Sequence, residues 1–449
     1  MPEFFVDDIC EVLVHTTRHS PDALNGLSLS NIFNLVVLLL SEEHASTIRN
    51  YNLRARLGDI LFNVFLPAEN KREDDEARYR DDNEVPYTVC CDPSNGSPFL
   101  LSSKNAQETL APSLLLLYGQ VEHTGPYDKQ GYRSRICSLL KYLWNSTEHR
   151  AAFAKIASNE QSFIEFANGV LNETNELIVV MMDKLPQIKN IQDEMKTPGW
   201  ATRTQDEQDQ TTSRLTEHER EVRSALMLAN KTMKMFAFLS TDKKIAELFQ
   251  GKELSTRLVN VLLYVLQNML GQKGLDLKVD NPESYHFKPK ELLSDLVSIL
   301  TCFVDSKTIQ DAIAHCGYYS DTLLHKLVKT SKKLGINSDD DRLDRLIVAA
   351  ESAKASSLDL GTILGDVPDE FEDPVTCEIM EDPVTLTTSQ TVVDRSTITQ
   401  HLLNDAMDPF NRQPLTMEQV VPNHELKARI EAWKSEKIAA AAAAKNAGA

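Results

Sequence analysis

Four shortages narrow what this 449-residue chain can be. Cysteine is scarce: there are seven, with no repeated spacing, and two of them are the adjacent Cys90 and Cys91. That excludes the disulfide framework of a small secreted scaffold. Basic charge is in deficit, 47 Lys and Arg against 66 Asp and Glu for a net charge of -19. A phosphate-backbone binder needs a basic surface to release counterions, so nucleic-acid binding is excluded as a main activity. Apolar runs such as residues 35–40 stop far short of the ~20 residues that span a bilayer. Pro2, Glu3, Asp7 and Asp8 flank the first apolar residues where a secretory signal would need a continuous run. No phosphate-cradling glycine loop and no hydrolase signature occurs. The chain is expected to be soluble and intracellular, with no nucleic acid, no membrane insertion and no cofactor.

What it has in quantity is helical periodicity. Phe5, Ile9, Leu13 and Val14 form one stripe. Ile32, Phe33, Leu35, Val36 and Val37 make the next segment apolar around its girth, so it must lie between neighbours. Similar stripes recur at Leu53, Leu57, Ile60 and Val64, at Leu110 and Leu114, at Ile136, Leu139 and Leu143, and onward to Leu323 and Leu327. A charge run over residues 69–84 reads as a solvated insertion. The polar break from Pro186 to about Thr216, with Pro198-Gly199 inside it, reads as a long connection. Strand signals are scarce and no fixed repeat period emerges. These patterns predict an irregular stack of paired helices over residues 1–355. Residues 356–365, rich in small side chains, join it as stiff helix or flexible tether to a C-terminal domain at 366–436, and an Ala-rich tail at 437–449 is a fraying helix.

The C-terminal domain reads as loop, hairpin, helix, loop, helix. Alternation at Val384 and Leu386 and the β-branched return Thr391, Val392 and Val393 predict the hairpin. Ser396 stands where an N-cap would, ahead of Ile398, Leu402 and Leu403, and Asp408-Pro409 ends that helix. Pro422-Asn423 opens a last helix whose Leu426, Ile430 and Trp433 share a face. A ring-like domain with two structural zincs would need eight Cys or His ligands. Here only Cys377, His401 and His424 are present, so no metal is expected. Asp394, Arg395, Asn411 and Arg412 are the candidate polar ties that hold the loops instead.

The blocks FEDPVTCEIMEDPV, VVDRSTITQHLL, DPFNRQPL and PNHELKARIEAW resemble the U-box, the zinc-free relative of the RING domain, and in particular the U-box that ends the E4 ubiquitin chain-elongation factors. The opening PEFFVDDICEVLVHTTRHSPDAL and the segment LRARLGDILF are similar, more loosely, to the later part of their armadillo-like core. The family carries further helices ahead of such a segment, so the chain is read as a short form. One departure is Ser389-Gln390 in the hairpin turn, where the family has Ser-Gly; a left-handed Gln would cost about 1 kcal/mol.

The resemblance implies a mainly α fold, an armadillo-like irregular helical-repeat array followed by a small α+β U-box. It implies a ubiquitin transferase without a nucleophile of its own, which holds a ubiquitin-charged conjugating enzyme in a reactive pose for transfer to a substrate or to a preformed ubiquitin chain, for proteasomal degradation. Val375, Cys377, Ile379, Asn411 and Pro414 match the surface that receives the conjugating enzyme, and Arg412 the linchpin that bonds both enzyme and ubiquitin. Asp394 and Arg395 match structural ties. Implied partners are the conjugating enzyme, ubiquitin, a ubiquitinated substrate, the AAA segregase valosin-containing protein, and ubiquitin-shuttle or co-ligase proteins, in the cytoplasm and also the nucleus. Against these stand plainer readings: Val375 and Ile379 as core, Arg412 as a tie between loops, Cys377 as a thiol with no activating base, and the whole chain as a non-catalytic scaffold.

Overall fold

The structure, a computed structural model, describes residues 3–44, 47–74, 89–93, 96–271, 277, 279–336, 341–402 and 407–447. Most of the expected charge run at 69–84, and Leu403, lie outside the described residues.

Helix packs on helix from the first element onward, as the scarcity of strand signals predicted. The opening helix, Glu3–His19, buries Val6, Cys10, Leu13 and Thr17, while Phe5 stands exposed and Ile9 and Val14 are half-buried. The expected stripe is therefore rotated. Apolar residues occur around much of this helix, and packing against Tyr51–Ile60 selects the face that includes Cys10 and Thr17. Ser30–Leu40 is buried at Phe33, Val36, Val37, Leu39 and Leu40, as its all-round apolarity requires.

At the centre, Lys104–Gln120 crosses Glu160–Met195 so closely that a Cβ on Gly119 would lie 2.6 Å from the Glu165 backbone. A Cβ on Gly169 would lie 3.1 Å from the Cα of Gly119. Arg133, wholly buried nearby, donates to the Tyr118 carbonyl and to the carboxylates of Glu122 and Glu173, so its charge is paired inside the stack.

The polar break expected between Pro186 and Thr216 is not a long connection. Glu160–Met195 runs through Pro186, a short 3-10 turn at Pro198–Thr202 reverses the chain, and Gln205–Leu239 returns alongside. A proline costs a free helix about 3 kcal/mol, but here Leu185, Ile188 and Ile191 are buried against the returning helix. Thr204 and Glu207 form a reciprocal cap that starts the return. The composition is polar because these segments of the pair expose much of their girth to water.

The joint to the last domain is helix: Arg342–Leu364 is continuous across it and ends at Gly365, whose φ of +64° suits a residue without Cβ. The C-terminal domain that follows is built on a three-stranded antiparallel sheet in the order β2-β1-β3, with β1 Pro383–Leu386, β2 Val392–Asp394 and β3 Val420–Pro422. The hairpin was expected; β3 was not, because it is three residues long and ends in proline. Its position at the sheet edge tolerates that proline. Val384, Leu386, Val393, Ile398, Leu415 and Val420 close one small core. Phe371, Met380, Leu426 and Ile430 close a second under the last helix, His424–Ala447. That helix is capped by Asn423, whose Oδ1 accepts from Leu426 N at 3.0 Å, and it packs on Arg342–Leu364. The Ala-rich tail continues the same helix to Ala447.

Candidate functional site

The exposed end of this small domain is made by two loops built alike. In the first, Asp373 N donates to Glu378 O and Cys377 N to Asp373 O, both at 2.8 Å. In the second, Asp408 N donates to Gln413 O and Arg412 N to Asp408 O, again at 2.8 Å. Each loop opens on Asp-Pro, because the buried carboxylate caps the turn and the proline presets its φ. Asp373 Oδ1 accepts from Val375 N at 2.7 Å and Thr376 N at 3.2 Å, and Asp408 Oδ1 from Phe410 N at 2.8 Å. Each turn ends on a residue of left-handed φ, Cys377 at +56° and Arg412 at +58°. Single bridges, Glu372 with Ile379 and Met407 with Pro414, close the loop bases.

The second oxygen of each carboxylate fixes its loop to the β1–β2 hairpin. Asp373 Oδ2 accepts from Asp394 N at 2.6 Å, and Asp408 Oδ2 from Thr388 Oγ1 at 2.5 Å. Burial opposes the charge on Asp408, but the hydrogen bonds from Thr388, Ser389 and the loop amides outweigh it and hold the carboxyl below the usual range. These two aspartates were not among the expected ties. The repeated Asp-Pro, at 373–374 and 408–409, was the signal available in the sequence.

Asp394 and Arg395 bond to the segment before β1, and the helix start is arranged differently from that expected. Asp394, not Ser396, is the cap of helix Arg395–Leu402: its Oδ1 accepts from Ser396 N at 3.0 Å and Ser396 Oγ at 2.6 Å. Its Oδ2 accepts from Glu381 N and Asp382 N at 2.7 and 2.9 Å. A carboxylate serves better than a hydroxyl here because it reaches four donors at once. Burial opposes its ionisation, yet these bonds keep its pKa lowered. Arg395 Nε and Lys427 Nζ share Asp382, at 2.6 and 2.9 Å, and so join the hairpin to both helices. Gln390 in the hairpin turn has φ +59°, the left-handed conformation at which glycine was missed, and its Nε2 donates to Thr387 O at 2.9 Å.

Between the first loop and helix Arg395–Leu402 lies a groove of about 250 Å³ lined by Val375, Thr376, Val393, Ile398, His401 and Pro409. Val375 is 54% exposed and Phe410, its counterpart on the second loop, 42%. An apolar residue left so open at a loop tip adds nothing to the core. His401 is held by a contact of 2.9 Å between its Nε2 and Met407 O. Arg412 is exposed, and among the described residues no side-chain tie holds its guanidinium. Asn411 Oδ1 accepts from Gln413 N at 2.9 Å and stiffens the loop beside it. Cys377 and Pro414 are exposed on their loops. Ile379 is placed apart: half-buried, it packs on the Phe371 and Met380 cluster and does not line the groove. Among the described residues no group of His, Cys, Asp and Glu could hold a metal ion, and no helix is long and apolar enough to cross a membrane.

Comparison with known proteins gives the same two parts. Residues 1–351 match the family model described as ubiquitin elongating factor core, and residues 367–439 match the U-box domain. The chain is 32% identical over 446 residues to a probable ubiquitin conjugation factor E4 of Arabidopsis thaliana, covering 96% of this chain and 40% of that protein. It is 29% identical over 448 residues to the ubiquitin conjugation factor E4 of Schizosaccharomyces pombe, covering 97% and 42%. With an E4 ubiquitin-protein ligase of Saccharomyces cerevisiae it shares 32% identity over 342 residues, 74% of this chain and 35% of that one. The chain thus spans about 40% of the length of such relatives.

Proposed function

This chain belongs to the ubiquitin elongating factor family, and from that premise we propose that it is a U-box ubiquitin ligase of the E4 type. The groove beside Val375 receives a ubiquitin-charged conjugating enzyme, and the helical array presents a substrate or a ubiquitin chain to it. The observation that carries this reading is the pair of matched loops, which set Val375, Phe410 and Arg412 in the open on stiff, carboxylate-capped turns. Stiffness is what such a site needs. The bond that breaks is the thioester on the partner's own cysteine, and the bond that forms joins its carbonyl carbon to an acceptor lysine amine. The U-box contributes position: restricting a mobile ubiquitin to one arrangement raises the chance of that encounter. Arg412 suits the linchpin role because its planar guanidinium has several donors in a fixed fork, enough to bridge carbonyls on two proteins.

The test is discharge of ubiquitin from a panel of charged conjugating enzymes to free lysine. Faster thioester loss with at least one of them is the expected result; an unchanged rate with all would overturn the proposal in favour of a binding scaffold. The same reading gives the AAA segregase valosin-containing protein and ubiquitin-shuttle or co-ligase proteins as partners, and cytoplasm and nucleus as compartments. Co-purification and fractionation of the tagged protein test these.

A further inference from the structure

The core holds a pocket that the ligase reading leaves unused. About 360 Å³ in volume, it lies among the helices Pro126–Trp144, Gln205–Leu239 and Pro289–Cys302 and the turn Pro282–Tyr285 with the residues after it. In a chain of net charge -19, its wall gathers the cations Lys141, Lys231, Lys234 and Lys288 against two carboxylates, Glu291 and Asp295. Lys231 Nζ rests on neutral hydroxyls, 2.8 Å from Ser134 Oγ and 3.2 Å from Ser138 Oγ. They orient the ammonium without neutralising it. Glu291 answers Lys288 at 3.5 Å.

The strap that brings Lys288 to the pocket is firmly set. Asn281 and His286 hold left-handed φ values of 50° and 55°, a conformation that costs non-glycine residues about 1–2 kcal/mol each and persists only where the surroundings over-determine it. Three ties do so. Asn230 Nδ2 donates to His286 O at 2.8 Å, Arg223 Nε to Ser284 O at 3.0 Å, and the hydroxyl of buried Tyr285 to Glu219 at 2.8 Å.

The rest of the lining decides the class of ligand. Met227, Met235 and Phe238 supply apolar surface, and Asn230 Oδ1, buried on the same wall, has no hydrogen-bond partner among the described residues. A compact anion such as phosphate would meet the lysines but also two carboxylates and an amide oxygen, more acceptor groups than its one or two P–OH protons can satisfy. A peptide serves both sets: side-chain carboxylates for the ammoniums, backbone N–H groups for the acceptors, and an apolar side chain for the adaptable Met and Phe surface. We propose that this pocket docks an acidic peptide segment of a partner protein, one that carries an apolar side chain among its carboxylates.

The test is fluorescence anisotropy of a labelled Glu-Asp-Leu-Asp-Glu peptide on the full chain. Saturable binding is expected, weakened by salt and lowered about thirtyfold by the double charge reversal K234E/K288E, since both lysines are exposed. The neutral pair K234Q/K288Q should fall between; if the charge reversal alters the thermal melt, this pair decides. Equal affinity of wild type and variants overturns the proposal, as does equal binding of a Lys-Arg-Leu-Arg-Lys peptide. So does bound inorganic phosphate that the acidic peptide fails to displace. None of these results depends on the U-box activity.

Discussion

Replacing Asp408 with alanine separates the scaffold of the second loop from the surface it presents. Asp408 is fully buried, and its carboxylate accepts from Phe410 N at 2.8 Å and from Thr388 Oγ1 at 2.5 Å. Hydrogen bonds to a charged group are worth about 1.5–3 kcal/mol each, and a donor left buried without an acceptor costs a further desolvation term. Phe410 N lies near the surface and recovers water, so the net loss is about 2–4 kcal/mol. A domain of this size has roughly 4–10 kcal/mol in total, and the variant therefore leaves the U-box folded but much weakened. Hydrogen exchange reads this out by region. Amides of β1 should exchange about 30- to 900-fold faster, while those of the Glu160–Met195 helix keep their protection. Discharge of charged conjugating enzyme should fall as Phe410 and Arg412 lose their fixed positions. Asp408→Asn, which keeps an acceptor of the same shape, should recover part of both. Unchanged exchange in β1 together with full discharge activity would refute the account of the loop as held by this carboxylate.

Val375→Arg should leave the melt within about 0.5 kcal/mol of wild type, since Val375 is 54% exposed, yet weaken docking of the conjugating enzyme by about thirtyfold or more; normal discharge would place the docking surface elsewhere. Arg412→Ala should slow discharge about tenfold with little change in docking measured by titration, and a matching loss of docking would show that Arg412 only binds. Gly119→Ala should destabilise the core by about 1–3 kcal/mol through backbone overlap at the crossing, seen as a lower melting temperature. For Asp295, burial, with repulsion from Glu291 and against partial relief from Lys234, pushes the pKa up to about 6. The unfolded carboxyl has a pKa near 4, so the folded form binds the proton more tightly and stability falls as pH rises from about 4 to 6, then levels off. Asp295→Asn should therefore gain about 1–2 kcal/mol at pH 7, after solvent screening, and nothing below pH 4; an equal gain at both pH values would refute the assignment.

Local chemistry made much of this protein legible. The helical stripes, the hairpin at Val384 and Val393, and the Leu426, Ile430 and Trp433 face depend on residues a few positions apart, and those relations survive in any tertiary setting. The count of Cys and His between 366 and 433, too few to ligate two zincs, likewise needs no fold to be made. The four blocks around Val375 and Arg412 pointed to the U-box for the same reason, since each is a short turn or helix start with its own caps.

What the tertiary structure decided were relations across long separations. The polar stretch around Pro186 became helix because Leu185 and Ile188 found a partner more than 20 residues on. The opening helix turned its Val6 and Cys10 side inward because another helix was there to meet it. β3 exists only because β1 offered an edge, and Asp373 and Asp408 hold their loops through donors 21 and 20 positions away. A short strand or a buried carboxylate has no periodic signature; its stability comes from the partner, and the partner is supplied by the fold.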